Sequence, residues 1–97
     1  MGVYSATRVG DKNTGHDACP AVPLEVGSSN VFINNKPAGR LNDTYESHGC
    51  IVHSPHHDYI SSGSTTVFIN NLPAGRVGDS VEIAGNVAEG SSNVFIG

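Results

Sequence analysis

The sequence predicts a small, mainly β fold in which three strand repeats are related by pseudo-threefold symmetry and helix is minor. A β-branched and aromatic run recurs three times, at residues 31–35, 67–71 and 94–97, each time after a small polar turn. The 97 residues also include twelve glycines and no tryptophan, and no stretch has sustained apolar spacing at three and four residues. Short strands and many turns are therefore expected instead of packed helices.

The repeat is circularly permuted. Its turns begin at Gly27, Gly63 and Gly90, and the two internal copies continue into residues 37–43 and 73–79. Both continuations read Pro-Ala-Gly-Arg and end in aspartate. The third copy stops at Gly97, and its second half is found near the start of the chain as Arg8-Val9-Gly10-Asp11. We therefore expect residues 1–11 to pair with the C-terminal strand in one closed domain spanning 1–97, with no Pro-Ala-Gly turn in the split unit.

Side chains within each predicted strand alternate between two faces, and both faces are apolar. Val31 and Ile33 point one way and Phe32 the other. A sheet with one wet face normally shows polar alternation. One face is therefore expected to pack toward the centre while the other lies under a loop or against a partner, and burial of both faces within the monomer is an equal alternative.

The arginine and aspartate that recur in each repeat are expected to be structural and not catalytic. In each repeat a charge-assisted hydrogen bond between the two can tie a turn. Treated as an exposed ion pair, each contributes only about 0–1 kcal/mol. The pairs are Arg8 with Asp11, Arg40 with Asp43 and Arg76 with Asp79.

Charge and hydropathy exclude several classes of protein. The net charge is −4, and three of the five basic residues are the repeated arginines, so no spare basic patch is present for nucleic acid. The N-terminal region has no apolar segment of signal-peptide length, and no run of eighteen apolar residues occurs. Neither Sec-dependent export nor a membrane-spanning helix is predicted.

Two long connections, 12–26 and 44–62, contain all the histidines and cysteines. His48, Cys50 and His53 fall within six residues of one another, and His16 lies in the other connection. Three histidines and one cysteine suit tetrahedral zinc, and a site with four protein ligands leaves no position for substrate. Such a site would be structural, and it would stiffen two loops that are rich in glycine, proline and serine.

The ligand set is open to alternatives at this point. Cys19 could replace one of the histidines, and His56 or His57 could replace His53, because flexible loops constrain spacing only weakly. A disulfide between Cys19 and Cys50 is also possible. With histidines flanking both cysteines, metal binding is the favoured interpretation.

The strand, the Pro-Ala-Gly-Arg turn, the Val-Gly-Asp that follows, and Thr14-Gly15-His16 ahead of His48-x-Cys50-x-x-His53 together resemble the PAAR-repeat family. The resemblance covers nearly the whole chain. Glycine at the third position of the motif is a departure that we interpret as a need for backbone freedom. The resemblance implies a small conical protein that caps the C-terminal end of a trimeric β-helical spike, one tip per trimer, in contractile phage tails or type VI secretion systems.

The resemblance also implies a zinc ion near the apex, with iron as a possible substitute, held by residues matching His16, His48, Cys50 and His53. It implies that the strands at the base meet the spike by β-augmentation. The residues expected to bind this partner are Val31, Phe32, Ile33, Val67, Phe68, Ile69, Val94, Phe95 and Ile96. The protein is expected to be made in the bacterial cytoplasm, to leave through the contractile apparatus without a cargo domain, and to meet the target outer membrane transiently.

Two other classes of function were weighed. A small zinc hydrolase or deaminase built on His48, Cys50 and His53 would need an open coordination site and a general base such as Glu46 or Asp58. Neither carboxylate lies in a recognisable metalloenzyme motif. A free-standing adhesion or carbohydrate-binding β-module is disfavoured because the only aromatic residues outside the predicted strands are three tyrosines. A non-enzymatic spike tip is the predicted function.

Overall fold

The computed structural model describes residues 4–15, 19–50, 53–82 and 85–97, with the backbone alone described at positions 48, 50, 53 and 54. These residues form ten short strands in five antiparallel pairs and contain no helix. The strands are β1 (Tyr4–Ser5), β2 (Phe32–Ile33), β3 (Lys36–Pro37), β4 (His48–Cys50), β5 (His53–His56), β6 (Tyr59–Ile60), β7 (Phe68–Ile69), β8 (Leu72–Pro73), β9 (Val81–Glu82) and β10 (Phe95–Ile96). The predicted mainly β class is confirmed. In the described ranges, no helix is available that could cross a membrane.

Two of the repeats fold as tight hairpins. β2 pairs with β3 and β7 with β8, each across two asparagines that have φ between 54° and 67°. Positive φ at both central residues defines the type I′ turn, whose twist matches that of the flanking strands. The strands are therefore shorter than the predicted runs, because the asparagines at their ends form the turns.

The third repeat is completed by the two ends of the chain, as predicted. β1 pairs with β10 in the same antiparallel register, with Tyr4 opposite Ile96 and Ser5 opposite Phe95. No Pro-Ala-Gly turn was predicted in the split unit, but the unit has a counterpart of that segment. Ser5-Ala6-Thr7 occupies that place, since Ala6 is paired with Arg76 just as Ala38 is with Arg8 and Ala74 with Arg40.

A ring of three backbone hydrogen bonds closes the repeats around one axis. The Thr7 amide donates to the Gly75 carbonyl at 3.1 Å, the Gly39 amide to the Thr7 carbonyl at 2.9 Å, and the Gly75 amide to the Gly39 carbonyl at 2.9 Å. Each repeat thus donates to one neighbour and accepts from the other. The pseudo-threefold symmetry predicted from the sequence is built into the backbone at this point.

Space, and not backbone freedom, explains glycine at the third position of the motif. Neither Gly39 nor Gly75 has a positive φ. A Cβ on Gly39 would lie 2.8 Å from Thr7 Cγ2 and 2.8 Å from Leu24 Cδ2, and one on Gly75 would lie 3.0 Å from the same methyl group of Thr7. The side chain of Thr7 fills the room near the axis, so the two equivalent positions carry no side chain.

Two apolar clusters lie on either side of this ring. The first, which we call the base cluster, contains Ala6, Ala38, Ala74, Ile69 and Ile96 and lies beneath the three strand pairs. We call the end of the molecule formed by this cluster and the three pairs the base. The second, which we call the loop end, contains Leu24, Tyr45, Ile60, Val81 and Val87. Burial of both clusters stabilises the fold by the hydrophobic effect. The two long connections, 12–26 and 44–62, contribute residues to the loop end.

The repeated aspartates are buried and the arginines are half-buried, which corrects the expectation of exposed pairs. The Arg40 guanidinium donates from Nε to Asp43 Oδ2 and from Nη2 to Asp43 Oδ1, both at 2.9 Å, and its backbone amide donates to the same carboxylate at 2.8 Å. The side chains are 15% and 5% exposed, and Arg8–Asp11 and Arg76–Asp79 repeat the arrangement. In all three repeats the hydrogen bonds to aspartate raise the pKa of the arginine, against the opposing effect of burial.

Tyr45 fills the centre of the loop end, and its hydroxyl is buried without a hydrogen-bond partner among the described residues. Burial raises the pKa of Tyr45 well above its ordinary value, and the charges of Asp11, Asp58 and Asp79 act in the same direction. An unsatisfied buried hydroxyl costs about 1–3 kcal/mol. The ring therefore stabilises the loop end by packing, while the hydroxyl opposes it.

We expect Tyr45→Phe to raise the free energy of unfolding at pH 7 by about 1 kcal/mol, since it keeps the ring and removes the unpaired hydroxyl. The raised pKa also makes the wild type lose stability above the ordinary tyrosine pKa of about 10, by up to about 1.4 kcal/mol per pH unit, because the unfolded chain releases this proton first. Urea denaturation at pH 7 and above pH 10 tests both effects. A variant that is less stable at pH 7, or that retains the full alkaline loss, would contradict this account.

Candidate functional site

The base carries three exposed phenylalanines at equivalent positions of the three repeats. Phe32 and Phe68 are 56% exposed and Phe95 is 53% exposed. Each is the second residue of its apolar run, and its side chain lies on the opposite face of the strand from that of the isoleucine that follows it. The repeats thus present the same large apolar side chain to solvent three times.

The other predicted partner-binding residues of the three runs serve mainly the interior. Ile69 and Ile96 are each 7% exposed and belong to the base cluster. Val31, Ile33 and Val94 are half-buried and pack against that cluster, whereas Val67 is exposed. The structure thus separates the two faces of each strand, and burial of both faces within the monomer does not hold for the phenylalanines.

Polar side chains tie neighbouring repeats together at the hairpin turns. The Asn70 side-chain oxygen accepts from Ser28 Oγ at 2.6 Å and from Arg40 Nη1 at 2.9 Å. Asn34 accepts equivalently from Ser91 Oγ at 2.6 Å and from Arg8 Nη1 at 2.8 Å. These contacts hold the hairpins against one another, so the base is an organised surface and not three separate loops.

The three repeated arginines are committed to internal contacts. Each guanidinium binds the aspartate three residues later, and each aspartate is buried. Each positive charge is thereby paired with a negative charge of the same repeat.

The predicted metal ligands lie largely outside the described residues. His16 is in an undescribed segment, and only the backbone is described for His48, Cys50 and His53. That backbone places Cys50 opposite His53 and His48 opposite His56 in the β4–β5 hairpin, with a register shift between His48 and Cys50. Cross-strand partners lie about 4.5–5.5 Å apart at Cα, so this register is compatible with a shared ion. Among the side chains that are described, no group of three possible metal ligands occurs.

Cys19, one of the alternative ligands, is buried and disulfide-bonded in this structure. The chain has one other cysteine, Cys50, whose side chain is not among those described. A disulfide between the two connections was one of the alternatives left open by the sequence. The disulfide at Cys19 therefore bears directly on whether a covalent bond or a metal ion links the two connections.

His56 and His57, the other alternative ligands, both contact acidic side chains. His56 Nε2 lies 2.9 Å from Asp58 Oδ1, and the Asp58 carboxylate is completely buried. His57 Nδ1 lies 2.8 Å from the Tyr45 carbonyl oxygen and 3.0 Å from Glu25 Oε2. Of the two carboxylates considered as a general base for an enzyme, Asp58 is therefore closed off from solvent, whereas Glu46 is exposed.

Sequence reasoning missed one repeated position at the loop end. Leu24, Ile60 and Val87 each donate a backbone hydrogen bond to an aspartate carbonyl of the repeat, at 2.8, 3.0 and 2.8 Å, and all three are buried. Each lies three residues before the glycine that opens a turn. An alignment of the repeats extended by three residues toward the N-terminus would have found this apolar position.

The fold and the base define the chain as a pseudo-threefold β protein with an exposed aromatic residue on every repeat. Residues 53–97 match the family model described as PAAR motif, which confirms the resemblance seen in the sequence. The matched segment makes up 45 of the 97 residues. No curated protein matches the chain.

The first repeat has the same geometry as the matched segment. Pro37-Ala38-Gly39-Arg40 lies outside residues 53–97, yet its arginine, aspartate and hairpin make the contacts that Pro73-Ala74-Gly75-Arg76 makes within them. PAAR-motif proteins are structural components that associate with the spike of type VI and phage-type injection machines. The family is not an enzyme family.

Proposed function

We propose that this protein is the tip of a contractile injection machine, a phage tail or a type VI secretion system, and that its base caps one trimeric β-helical spike. The observation that carries the proposal is the set of exposed phenylalanines, one on each repeat at 53–56% exposure. A symmetric trimer presents three equivalent surfaces. A single chain with three equivalent apolar positions is suited to meet them.

The strand pairs supply a second line of support. Each pair at the base has only two strands within the described residues. On one side of each pair a carbonyl, that of Ser5, Pro37 or Pro73, already accepts a hydrogen bond from a neighbouring repeat. A further strand would therefore add on the other side, along the strands that carry the phenylalanines. An added strand gains main-chain hydrogen bonds, and side-chain pockets add specificity. We infer that each spike chain adds one strand to one repeat and covers its phenylalanine. The pointed assembly would then act mechanically on the target outer membrane, without catalysis.

Replacing Phe32, Phe68 and Phe95 together by serine is expected to abolish binding to the C-terminal β-helical fragment of the spike. The side chains are more than half exposed, so the variant should still fold, with a far-UV circular dichroism spectrum like that of the wild type. Tyr59→Ser, at the exposed aromatic of β6 beside the loop end, is the matched control and should bind normally. Unchanged binding by the triple variant, measured by isothermal titration calorimetry, would refute the role of these residues.

We further propose that His16, His48, Cys50 and His53 hold a structural zinc ion at the loop end in the reduced protein. The donor set suits tetrahedral zinc, and the register of β4 and β5 is compatible with it. When bound, the ion would tie the two connections to each other. Iron is a chemically possible substitute.

The disulfide at Cys19 favours a specific alternative, in which a covalent link joins the connections and no thiolate remains for zinc. Elemental analysis and X-ray absorption on protein purified with reductant distinguish the two. We expect one zinc with three nitrogen ligands and one sulfur, lost in Cys50→Ser and retained in the matched control Cys19→Ser. Absence of metal from the reduced wild type, or equal loss in both variants, would contradict the zinc site.

A small zinc hydrolase or deaminase remains the alternative function from another class. The burial of Asp58 and its contact with His56 speak against its use as a general base. A coordination shell containing water in the same absorption experiment would favour that alternative, because a closed shell of four protein ligands leaves no position for a reacting water.

A further inference from the structure

The three repeats differ at one position of the base. Asn34 and Asn70 open the hairpin turns of two repeats, and Gly97 stands at the equivalent place in the third. Each asparagine oxygen accepts a hydrogen bond from Nη1 of an arginine in the neighbouring repeat, at 2.8 Å from Arg8 and 2.9 Å from Arg40. The protein therefore contains two occupied copies of a site in which an arginine binds one carbonyl oxygen.

Arg76 is the third arginine of this set, and its site is incomplete. Nε and Nη2 bind Asp79 at 3.1 and 2.9 Å, as in the other repeats. Nη1 has no acceptor within the part of the chain that the structure describes. The backbone oxygen of Gly97 is engaged elsewhere, since it accepts from Ser64 Oγ and, at 3.5 Å, from Thr66 Oγ1.

The guanidinium of Arg76 is nevertheless held in a fixed position. Asp79 holds one edge of it, and its central carbon lies 5.3 Å from the centre of the Tyr4 ring. Such a distance permits a cation–π contact. A surface cleft of about 190 Å³ opens here, lined by Tyr4, Arg76, Val77, Gly78 and Asp79. The arginine side chain lines this cleft and is 17% exposed, so solvent reaches part of it.

We propose that Arg76, which lines this cleft, binds one carboxylate or carboxamide oxygen of the protein partner that docks on the base. The inference rests on the proposed function for the partner, but the ligand chemistry is taken from the two occupied copies, where the acceptor is a side-chain amide oxygen. Nη1 of Arg8 and Nη1 of Arg40 already donate to such an oxygen within the chain, so we expect neither to bind an oxygen of the partner. One chain of a trimeric partner therefore makes a contact that the other two chains do not.

The binding chemistry is tested on the free protein, labelled with ¹⁵N at arginine and titrated with sodium acetate or acetamide at constant ionic strength set with chloride. We expect a saturable shift of the Arg76 Nε–Hε resonance, with Arg8 and Arg40 serving as internal controls that do not respond. Equal shifts of all three resonances, or no shift of Arg76, would overturn the proposal.

Gly97→Asn provides the decisive variant, because it supplies the missing amide oxygen from within the chain. The variant should lose the response to acetate and should bind the C-terminal β-helical spike fragment about tenfold more weakly. Gly97→Ala is the control for a side chain at this position and should retain both. Equal affinity of the wild type and Gly97→Asn for the fragment would overturn the inference, whereas failure of the wild type to bind it would instead contradict the proposed function.

Discussion

Asp43→Asn is expected to lower the free energy of unfolding by about 3–5 kcal/mol, because it removes the buried counter-charge of the half-buried Arg40. The carboxylate accepts three hydrogen bonds, from the backbone amide, Nε and Nη2 of Arg40. Asparagine has the same shape but turns one acceptor into a donor facing the guanidinium. Chemical denaturation followed by circular dichroism measures the change.

The matched control for Asp43→Asn is Glu82→Gln, which removes the same charge from an exposed position on β9. Its effect should stay within about 0.5 kcal/mol, as is usual for surface substitutions. Asp11→Asn and Asp79→Asn should behave like Asp43→Asn, since all three pairs have the same geometry. If Asp43→Asn is no more destabilising than Glu82→Gln, the pairs are not the structural element described here.

Ile96→Ala is expected to cost about 2–5 kcal/mol, whereas Phe95→Ala at the adjacent residue should change stability much less. Ile96 is buried in the base cluster and lies opposite Tyr4 in the strand pair that joins the two ends of the chain. Phe95 faces solvent. The two variants differ by one position in a two-residue strand, so each is the control for the other.

Thermal and urea denaturation should therefore separate Ile96→Ala from Phe95→Ala, while binding to the spike fragment should reverse their order. Phe95→Ala should weaken binding although the protein is folded. A similar loss of stability in both variants would mean that the two faces of the strand are not divided between the interior and the partner.

Repetition made most of the fold predictable. Three copies of one strand, one split across the ends, were enough to predict the mainly β class and the pairing of β1 with β10, because each half of the split unit lacks a partner without the other. The limits of the strands were less accessible. Asn34 and Asn35 were included in the predicted strand run that begins at Val31. They instead have positive φ and form a type I′ turn, so the strand ends at Ile33.

Burial was the least predictable property. Arg40 and Asp43 read as an ordinary exposed pair, because a sequence of this size gives no sign that a turn is enclosed by its neighbours. Gly39 was attributed to backbone freedom, although the methyl group of Thr7, 32 residues earlier, occupies the space. Both errors concern contacts between repeats.

The candidate site was also predictable only in part. The runs at the base were predicted to bind the partner, and the structure separates exposed Phe32 from the buried isoleucines of the other two repeats. The proposed ligands His48, Cys50 and His53 were found by spacing alone, and their backbone register is compatible with that proposal. Their side chains, like His16, stay a prediction for the metal analysis.

The central claim is that one chain, through three equivalent repeats, caps one trimer. Native mass spectrometry of the complex with the C-terminal β-helical spike fragment tests it most directly. We predict a single species containing one copy of this protein and three copies of the fragment, even when the protein is in excess. Three copies of the protein on one trimer, or binding to a single spike chain with equal affinity, would contradict the claim.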